Sequence, residues 1–166
     1  MKWGLIVDAE QKTQSSDNAQ VKIPPPLCFA VFLGIGLFLQ SDWINGQFGQ
    51  IERLILGAIL CAASISVIAK EALSHGKSGS NVEPWKPTTL IISSGLYGYS
   101  RNPIYVGMIT AYAGIALAAG SFGAIILLPF CILIIRYHVI AREEAYLEQK
   151  FGEEYLNYKQ KVRRWI

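Results

Sequence analysis

The longest stretch of the chain without a charged side chain runs from residue 102 to residue 135 and holds 34 residues. As one helix it would extend about 51 Å at ~1.5 Å per residue, whereas the hydrocarbon core of a bilayer is ~30 Å thick. A single membrane span cannot use that length, so the run is expected to fold back. The small, flexible residues of AAGSFG (118–123) supply a tight turn. The sequence therefore predicts a hairpin of two helices, 103–119 and 122–140.

Two further apolar segments, 27–44 and 54–69, precede this hairpin. The chain is 52% hydrophobic and only 16% charged, whereas soluble domains carry about a quarter charged residues. Each segment is short for a span but close to the ~20 apolar residues that a crossing needs. These features predict an all-α integral membrane protein with about four transmembrane helices, of which the last two form the hairpin.

Positive charge falls almost entirely on one side of such a four-span bundle. Fourteen of the 15 lysines and arginines lie in the N-terminal segment, the middle loop and the C-terminal segment, and Arg53 lies in the opposite loop. The positive-inside rule makes the richer side cytoplasmic. We expect a multi-pass membrane protein with cytoplasmic N- and C-termini, in the inner (plasma) membrane if the source is bacterial.

The domain organisation is expected to be simple. A polar N-terminal tail, 1–22, lacks the apolar stretch of a signal peptide. Residues 23–166 form a single membrane domain, with a cytoplasmic cap made of 70–102 and 141–166. Apolar and aromatic residues recur at helical spacing from Phe151 to Val162, which predicts a C-terminal amphipathic helix on the membrane surface.

Small side chains recur every fourth residue in the second and third spans. Gly57 and Cys61 form one such row, and Gly107 and Ala111 form another. This spacing allows membrane helices to approach closely, within one chain or between two, so the oligomeric state stays open. The two histidines are too few and too distant in sequence for a zinc site, and no metal or nucleic-acid partner is predicted.

Residues 99–107, YSRNPIYVG, begin the uncharged run. Asn102 and Pro103 suit the N-cap and the first position of a helix. A helix N-terminus beside Arg101 is also suited to an anion, because free N–H groups and a guanidinium both bind carboxylates and phosphates. The local residues favour this anion site and a simple lipid-headgroup anchor about equally.

Glu143 and Glu144 follow the last span. A helical glutamate usually pairs with a base four residues on, but here those positions hold Leu147 and Glu148. The pair is therefore predicted either to be solvated or to find a partner elsewhere, namely Arg101, Arg136 or a cofactor.

Together, GLYGYSRNPIYVG (95–107), the apolar hairpin and REEAYLEQKFGEEYLNYKQKV (142–162) resemble the isoprenylcysteine carboxyl methyltransferase and phospholipid methyltransferase family. Members carry R-H-P-x-Y-x-G and then E-E-x-x-L-x-x-x-F-G-x-x-Y-x-x-Y at a similar separation. The resemblance covers residues 85–166. It implies a membrane enzyme that transfers a methyl group from S-adenosylmethionine to a lipophilic small-molecule or lipidated acceptor, which enters sideways among the membrane lipids.

The resemblance also implies a cytoplasmic cofactor pocket roofed by the C-terminal helices. Its implied catalytic residues are Arg101, which would hold the cofactor carboxylate, and Glu143 and Glu144, which would orient the ribose or balance charge. The implied cofactor-binding residues are Tyr97, Arg101, Asn102, Pro103, Tyr105, Glu143, Glu144 and Tyr155. Arg163 and Arg164 are predicted, from charge and position alone, to bind an acidic acceptor.

Asn102 stands where the family has a histidine, and asparagine cannot act as a base near neutral pH. An ionised carboxylate acceptor needs no base, whereas an amine must be neutral to attack. The sequence therefore slightly favours an isoprenylcysteine-like carboxylate over an amine. The tail departs from the eukaryotic members of the family, which end near V-P, because Val162 is followed by Arg163 here.

Two alternatives stay open. A non-catalytic membrane module could keep the same scaffold and bind a lipid or a protein partner. A sterol-reductase-like enzyme would use a nicotinamide cofactor, but that group is usually much longer than 166 residues.

Overall fold

A computed structural model of the chain describes residues 18–39, 49–79 and 86–166. Within these ranges the fold is all-helical, as the sequence predicts, and contains no strand. The helices are α1 (Pro25–Phe38), α2 (Gln50–Ser78), α3 (Pro103–Ala118), α4 (Phe122–Ile134), α5 (Ala141–Phe151) and α6 (Glu153–Lys161). A 3₁₀ turn (Gly95–Gly98) precedes α3, and a π-helical turn (Ile135–Ile140) joins α4 to α5.

Two helical runs are long and apolar enough to cross a membrane, Gln50–Gly76 and Phe122–Phe151. The apolar part of the second ends at Ile140, where charged residues begin. Helices α1 and α3 are apolar but shorter, with 14 and 16 residues. Large apolar side chains cover the outside of these helices, including Ile59 and Phe130, which are more than half exposed. Such a continuous apolar exterior indicates a lipid environment, while the number of four spans stays a prediction.

Helix α2 is longer than its predicted span. Its 29 residues extend about 44 Å at ~1.5 Å per residue, and it ends at Gly79, whose φ is +67°. The predicted cap 70–102 therefore begins as nine more residues of helix, because no residue before Gly79 stops it. This extension carries Glu71 and His75 past the apolar part of α2.

The predicted hairpin turn lies between Ala118, where α3 ends, and Phe122, where α4 begins. Ser121 is the N-cap of α4, and its Oγ accepts a hydrogen bond from the Ala124 amide at 3.2 Å. The same hydroxyl donates to the carbonyl oxygen of Gly36 in α1 at 2.7 Å. One side chain thus starts α4 and fixes the turn to α1.

The rows of small residues bring α2 and α3 into close contact. A Cβ on Gly57 would lie 2.6 Å from the carbonyl oxygen of Gly114, so only glycine fits there. Ser64 Oγ donates to the carbonyl oxygen of Gly107 at 2.7 Å. The two helices are antiparallel, since residues early in α2 meet residues late in α3. The contact that the sequence predicts is therefore present within one chain.

Helices α1 and α4 form a second antiparallel pair, with Gly36 near the start of α4. The end of α2, the start of α3, the start of α1 and the π-helical turn consequently meet at one end of the bundle. The last residues of the predicted tail pack there too: Ala19 and Val21 are buried, and Arg142 donates to the carbonyl oxygen of Gln20 at 3.1 Å. Residues 1–17 of that tail, and 40–44 of the predicted first span, lie outside the described residues.

The Gly36 contact predicts a sharp contrast between two glycines of α1. A Cβ on Gly36 would lie 2.3 Å from Ala124 Cα, whereas a Cβ on Gly34 meets nothing within 4 Å. We expect Gly36→Ala to destabilise the bundle by about 1–3 kcal/mol through overpacking. Gly34→Ala should be neutral or slightly stabilising, because alanine favours helix. Thermal unfolding in detergent measures both, and equal melting temperatures for the two variants would contradict the packing.

Candidate functional site

A cavity of about 220 Å³ lies at the end of the bundle where these helix ends meet. One wall is apolar and comes largely from the irregular segment before α3 and from α3 itself; it includes Leu90, Ile91, Ile92, Ile104 and Met108. The facing wall is polar and aromatic. It includes His75, Tyr97, Arg101, Asn102, Tyr105, Glu143, Glu144, Tyr146, Tyr155 and Tyr158.

Glu144 sits between two arginines. Its Oε1 accepts from Arg101 Nη2 at 2.8 Å and from Arg164 Nε at 3.0 Å, and its Oε2 accepts from Arg164 Nη2 at 2.5 Å. Glu144 is 5% exposed. Burial alone would raise its pKa, but the hydrogen bonds from Arg164 and Arg101 hold the pKa of Glu144 below its usual range. We call Arg101, Glu144 and Arg164 the ion triad.

The guanidinium of Arg101 also fixes the C-terminal segment. Its Nη1 donates to the carbonyl oxygens of Lys159 at 3.1 Å and Val162 at 2.7 Å, and its main-chain amide donates to Arg163 at 2.9 Å. Its Nε is buried and has no hydrogen-bond partner in the part of the chain that the structure describes. Arg101 therefore acts first as a structural link, with its Nε–H left over.

Asn102 and Pro103 occupy the positions that the sequence predicts at the start of α3. The Asn102 side chain does not cap that helix; instead its Nδ2 donates to the carbonyl oxygen of Arg164 at 3.0 Å. Asn102 lines the cavity, whereas Pro103 is buried beside it. The residue that replaces the family's histidine thus helps to hold the C-terminal segment.

Glu143 differs from its neighbour. Its Oε1 accepts a hydrogen bond from Tyr105 Oη at 2.7 Å, and no arginine or lysine is bonded to it among the described residues. Burial raises the pKa of Glu143 to about 7, against the lowering effect of the Tyr105 hydrogen bond and with a smaller increase from the charge of Glu144. From the sequence, the two glutamates have the same predicted role. In the structure, Glu143 is the one of the two that has no positively charged partner in the cavity wall.

The tyrosines expected around the pocket are present there. Tyr97 and Tyr155 both line the cavity, and Tyr155 is 2% exposed. Tyr158 donates from its hydroxyl to the carbonyl oxygen of Tyr97 at 2.7 Å, which ties α6 to the 3₁₀ turn. Arg163 and Arg164, predicted to bind the acceptor, do not line the cavity; Arg163 is exposed and Arg164 belongs to the ion triad.

Two polar residues of α2 were not predicted from the sequence. His75 lines the cavity and is 8% exposed, and Glu71, one turn earlier, is 2% exposed. Both lie in the extension of α2 beyond its apolar span. Their four-residue spacing could have placed them on one helical face. That prediction requires α2 to continue to Ser78, which the sequence did not indicate.

Comparison with known proteins identifies the family. The model of the family "Phospholipid methyltransferase" matches residues 52–154. The protein-S-isoprenylcysteine O-methyltransferase of Schizosaccharomyces pombe is 34% identical over 124 residues, or 74% of this chain and 52% of that protein. The protein-S-isoprenylcysteine O-methyltransferase B of Arabidopsis thaliana is 29% identical over 127 residues, or 75% of this chain and 60% of that protein.

A third relative matches the chain over a shorter segment. An uncharacterized protein of Haemophilus influenzae is 69% identical over 35 residues, or 21% of this chain and 56% of that protein. The chain thus spans little more than half the length of the curated relatives that it matches. No solved structure matches it.

The ion triad predicts unequal effects at two glutamates of α5. Glu144→Gln leaves two arginines facing a neutral amide, so we expect it to cost about 3–5 kcal/mol of stability. Glu148→Gln removes only the half-exposed ion pair with Lys159 and should cost less than about 1 kcal/mol. Thermal or denaturant unfolding in detergent compares them, and a Glu144 variant as stable as the Glu148 variant would rule out a structural role for the triad.

Proposed function

Because the chain belongs to the phospholipid methyltransferase family, we propose that it is an integral membrane methyltransferase that moves a methyl group from S-adenosylmethionine to a lipophilic acceptor. The observation that carries the proposal is Glu143, a carboxylate whose bonded partner in the cavity is Tyr105 rather than a base. A half-buried carboxylate without a positive partner loses hydration that no ion pair replaces. A cationic ligand in the cavity would offset that loss.

The residues present fit this methyl donor. Its positive sulfonium and ammonium groups, or its ribose hydroxyls, match the carboxylate of Glu143. Its flat, apolar adenine matches the wall formed by Ile91 and Ile92. The aromatic faces of Tyr97 and Tyr155 suit a sulfonium. The free Nε–H of Arg101 is a donor for the ligand's carboxylate, which keeps the predicted contact as part of the proposal.

When bound, S-adenosylmethionine supplies a methyl group activated for in-line displacement, a reaction dominated by positioning. In the proposal the carboxylate of Glu143 binds the positive charge of the donor at the cavity wall. The ion triad holds the C-terminal segment over the cavity. The tyrosines exclude water from the reacting groups. Glu144 contributes by positioning the arginines rather than by touching the ligands.

The proposed placement in the membrane follows from the charges. We propose four spans, with the cavity end of the bundle and both termini cytoplasmic, since that end holds Arg101, Arg142 and Arg164. Residues 23–166 form one methyltransferase domain, and the acceptor enters from the bilayer. Arg163, exposed beside the ion triad, is proposed to attract an acidic group of the acceptor.

The chemical class of the acceptor is a separate question. The names of the fission-yeast and Arabidopsis relatives favour a carboxylate, as the sequence did. The sequence argument, however, rested on the lack of a base at Asn102, and His75 now lies in the cavity wall. The class is best decided by the product, because a methyl ester is cleaved by alkali and an N-methyl group is not.

We expect methyl transfer to be measurable directly. The full chain in lipid nanodiscs is incubated with methyl-tritiated S-adenosylmethionine and a detergent extract of membrane lipids and lipidated proteins. Label should move into the lipophilic fraction, fall at least tenfold in Glu143→Gln, and persist in Glu153→Gln, which changes an exposed glutamate of α6. A folded wild-type protein that binds neither donor nor product would instead favour the non-catalytic module.

Binding of the donor should depend on pH through Glu143. Its pKa is raised to about 7, so the carboxylate is mostly protonated at pH 6 and mostly ionised at pH 7.5. If only the ionised form binds the cation, affinity for S-adenosylmethionine should rise roughly eightfold over that interval. Calorimetric titration measures this, and Glu143→Gln should remove the rise. A wild-type affinity that is flat or falls over this interval would contradict the assignment.

A further inference from the structure

The polar wall of the cavity contains a group that the family motifs do not include. We propose that His75 is the proton acceptor of the reaction, and that the methyl acceptor is a nucleophile carrying a proton, such as an amine. This inference rests on the proposed function. It concerns α2, whereas the motifs lie in 95–107 and 142–162.

The position of His75 meets the first requirement for such a role. Its ring lies among the residues that line the cavity, with Tyr97, Tyr105 and Glu143. The residue is 8% exposed, so little of it meets bulk water. A general base must reach the proton that it removes, and a ligand in this cavity would lie beside the ring.

The hydrogen bonds of His75 determine which nitrogen is free. Its Nδ1 lies 2.9 Å from the main-chain carbonyl oxygen of Glu71. A carbonyl oxygen can only accept, so Nδ1 carries the proton and donates it. In the neutral imidazole the other nitrogen, Nε2, then holds a lone pair. The main chain of α2 thus fixes the tautomer in which Nε2 is basic.

The environment of Nε2 is set by Tyr97, which also lines the cavity. The neighbour of Nε2 is the hydroxyl of Tyr97 at 3.5 Å, which is at the long limit for a hydrogen bond. The two rings meet edge to face, with centroids 5.5 Å apart, and this contact holds the imidazole in place. The lone pair of Nε2 is therefore oriented but only weakly engaged.

Two carboxylates lie near the contact between His75 and Tyr97. Glu71 is 2% exposed and lies one turn before His75 on the same helix. Burial raises the pKa of Tyr97, and the negative charges of Glu71 and Glu143 raise it further. Both carboxylates therefore lie near Tyr97. Tyr158, from α6, and Tyr105, from α3, are further titratable groups close to Tyr97.

The step balances without any further reagent. The lone pair of the acceptor's nitrogen forms a bond to the methyl carbon, the carbon–sulfur bond breaks, and its electron pair stays on sulfur, which becomes a neutral thioether. The proton of the nitrogen passes to Nε2 of His75. The imidazolium later releases that proton to water when the cavity opens.

The tautomer can be measured without knowing the acceptor. His75 and His138 are the two histidines of the chain, and His138 is exposed on the π-helical turn. The variant His138→Gln therefore leaves His75 as a single ring for ¹⁵N-correlated NMR of the nanodisc-embedded protein. We expect a proton on Nδ1 and none on Nε2. A proton on Nε2 in the neutral ring would overturn the inference.

The catalytic effect is tested by His75→Gln, with His138→Gln as the matched control. Both are assayed with the membrane extract and methyl-tritiated donor. His75→Gln should lose about 100-fold or more in kcat, with its affinity for S-adenosylhomocysteine within threefold of the wild type, and the labelled product should resist alkali. His138→Gln should keep wild-type turnover.

Three results would overturn the inference. A product cleaved by alkali identifies a carboxylate acceptor, which needs no base. Unchanged kcat in His75→Gln removes the proton-accepting role. Lack of S-adenosylhomocysteine binding by the folded wild type would remove the proposed function as well, whereas intact binding with either of the first two results leaves the methyltransferase assignment in place.

Discussion

The site depends on the buried ion triad of Arg101, Glu144 and Arg164. It joins three segments that are distant in sequence: the start of α3, the first turn of α5 and the C-terminal residues. Arg101 and Glu144 are largely buried, whereas Arg164 is partly exposed. Burying such charges is favourable only when nearly every donor is satisfied, and the carbonyl oxygens of Lys159 and Val162 take up further N–H groups of Arg101. One glutamate thereby fixes the wall of the cavity, which leaves its neighbour available for a ligand.

The difference between Glu143 and Glu144 originates in the π-helical turn before them. In this turn Ile135, Val139 and Ile140 are all buried, so the buried face covers both four- and five-residue spacings, and Glu144 continues it in α5. A regular α-helix would bring positions three or four apart to one face. After this turn Glu144 is bonded to the two arginines and Glu143 to Tyr105, and both line the cavity. π-Helical turns are frequent at functional sites, and here the turn decides which carboxylate is structural.

Much of the bundle could be predicted from the sequence, because a long uncharged run must fold back within a bilayer and glycine rows must pack closely. The possible pairing of the acidic residues with Arg101 could also be foreseen, since helical neighbours offered them no base. The different partners of Glu143 and Glu144 could not be predicted, because the chain reaches them through a π-helical turn that no residue pattern indicates. His75 was missed since its place in the cavity depends on how far α2 continues beyond its apolar residues.

In the proposed mechanism one cavity is the site of methyl transfer, with Glu143 as its uncompensated charge and His75 as its base. The most direct measurement is ultraviolet cross-linking of methyl-tritiated S-adenosylmethionine to the full chain in nanodiscs, followed by peptide mapping. The account predicts saturable label, displaced by S-adenosylhomocysteine, on peptides that contain Tyr97, Tyr105 or Tyr146, all of which line the cavity. Saturable label confined to peptides that contribute nothing to the cavity would contradict it.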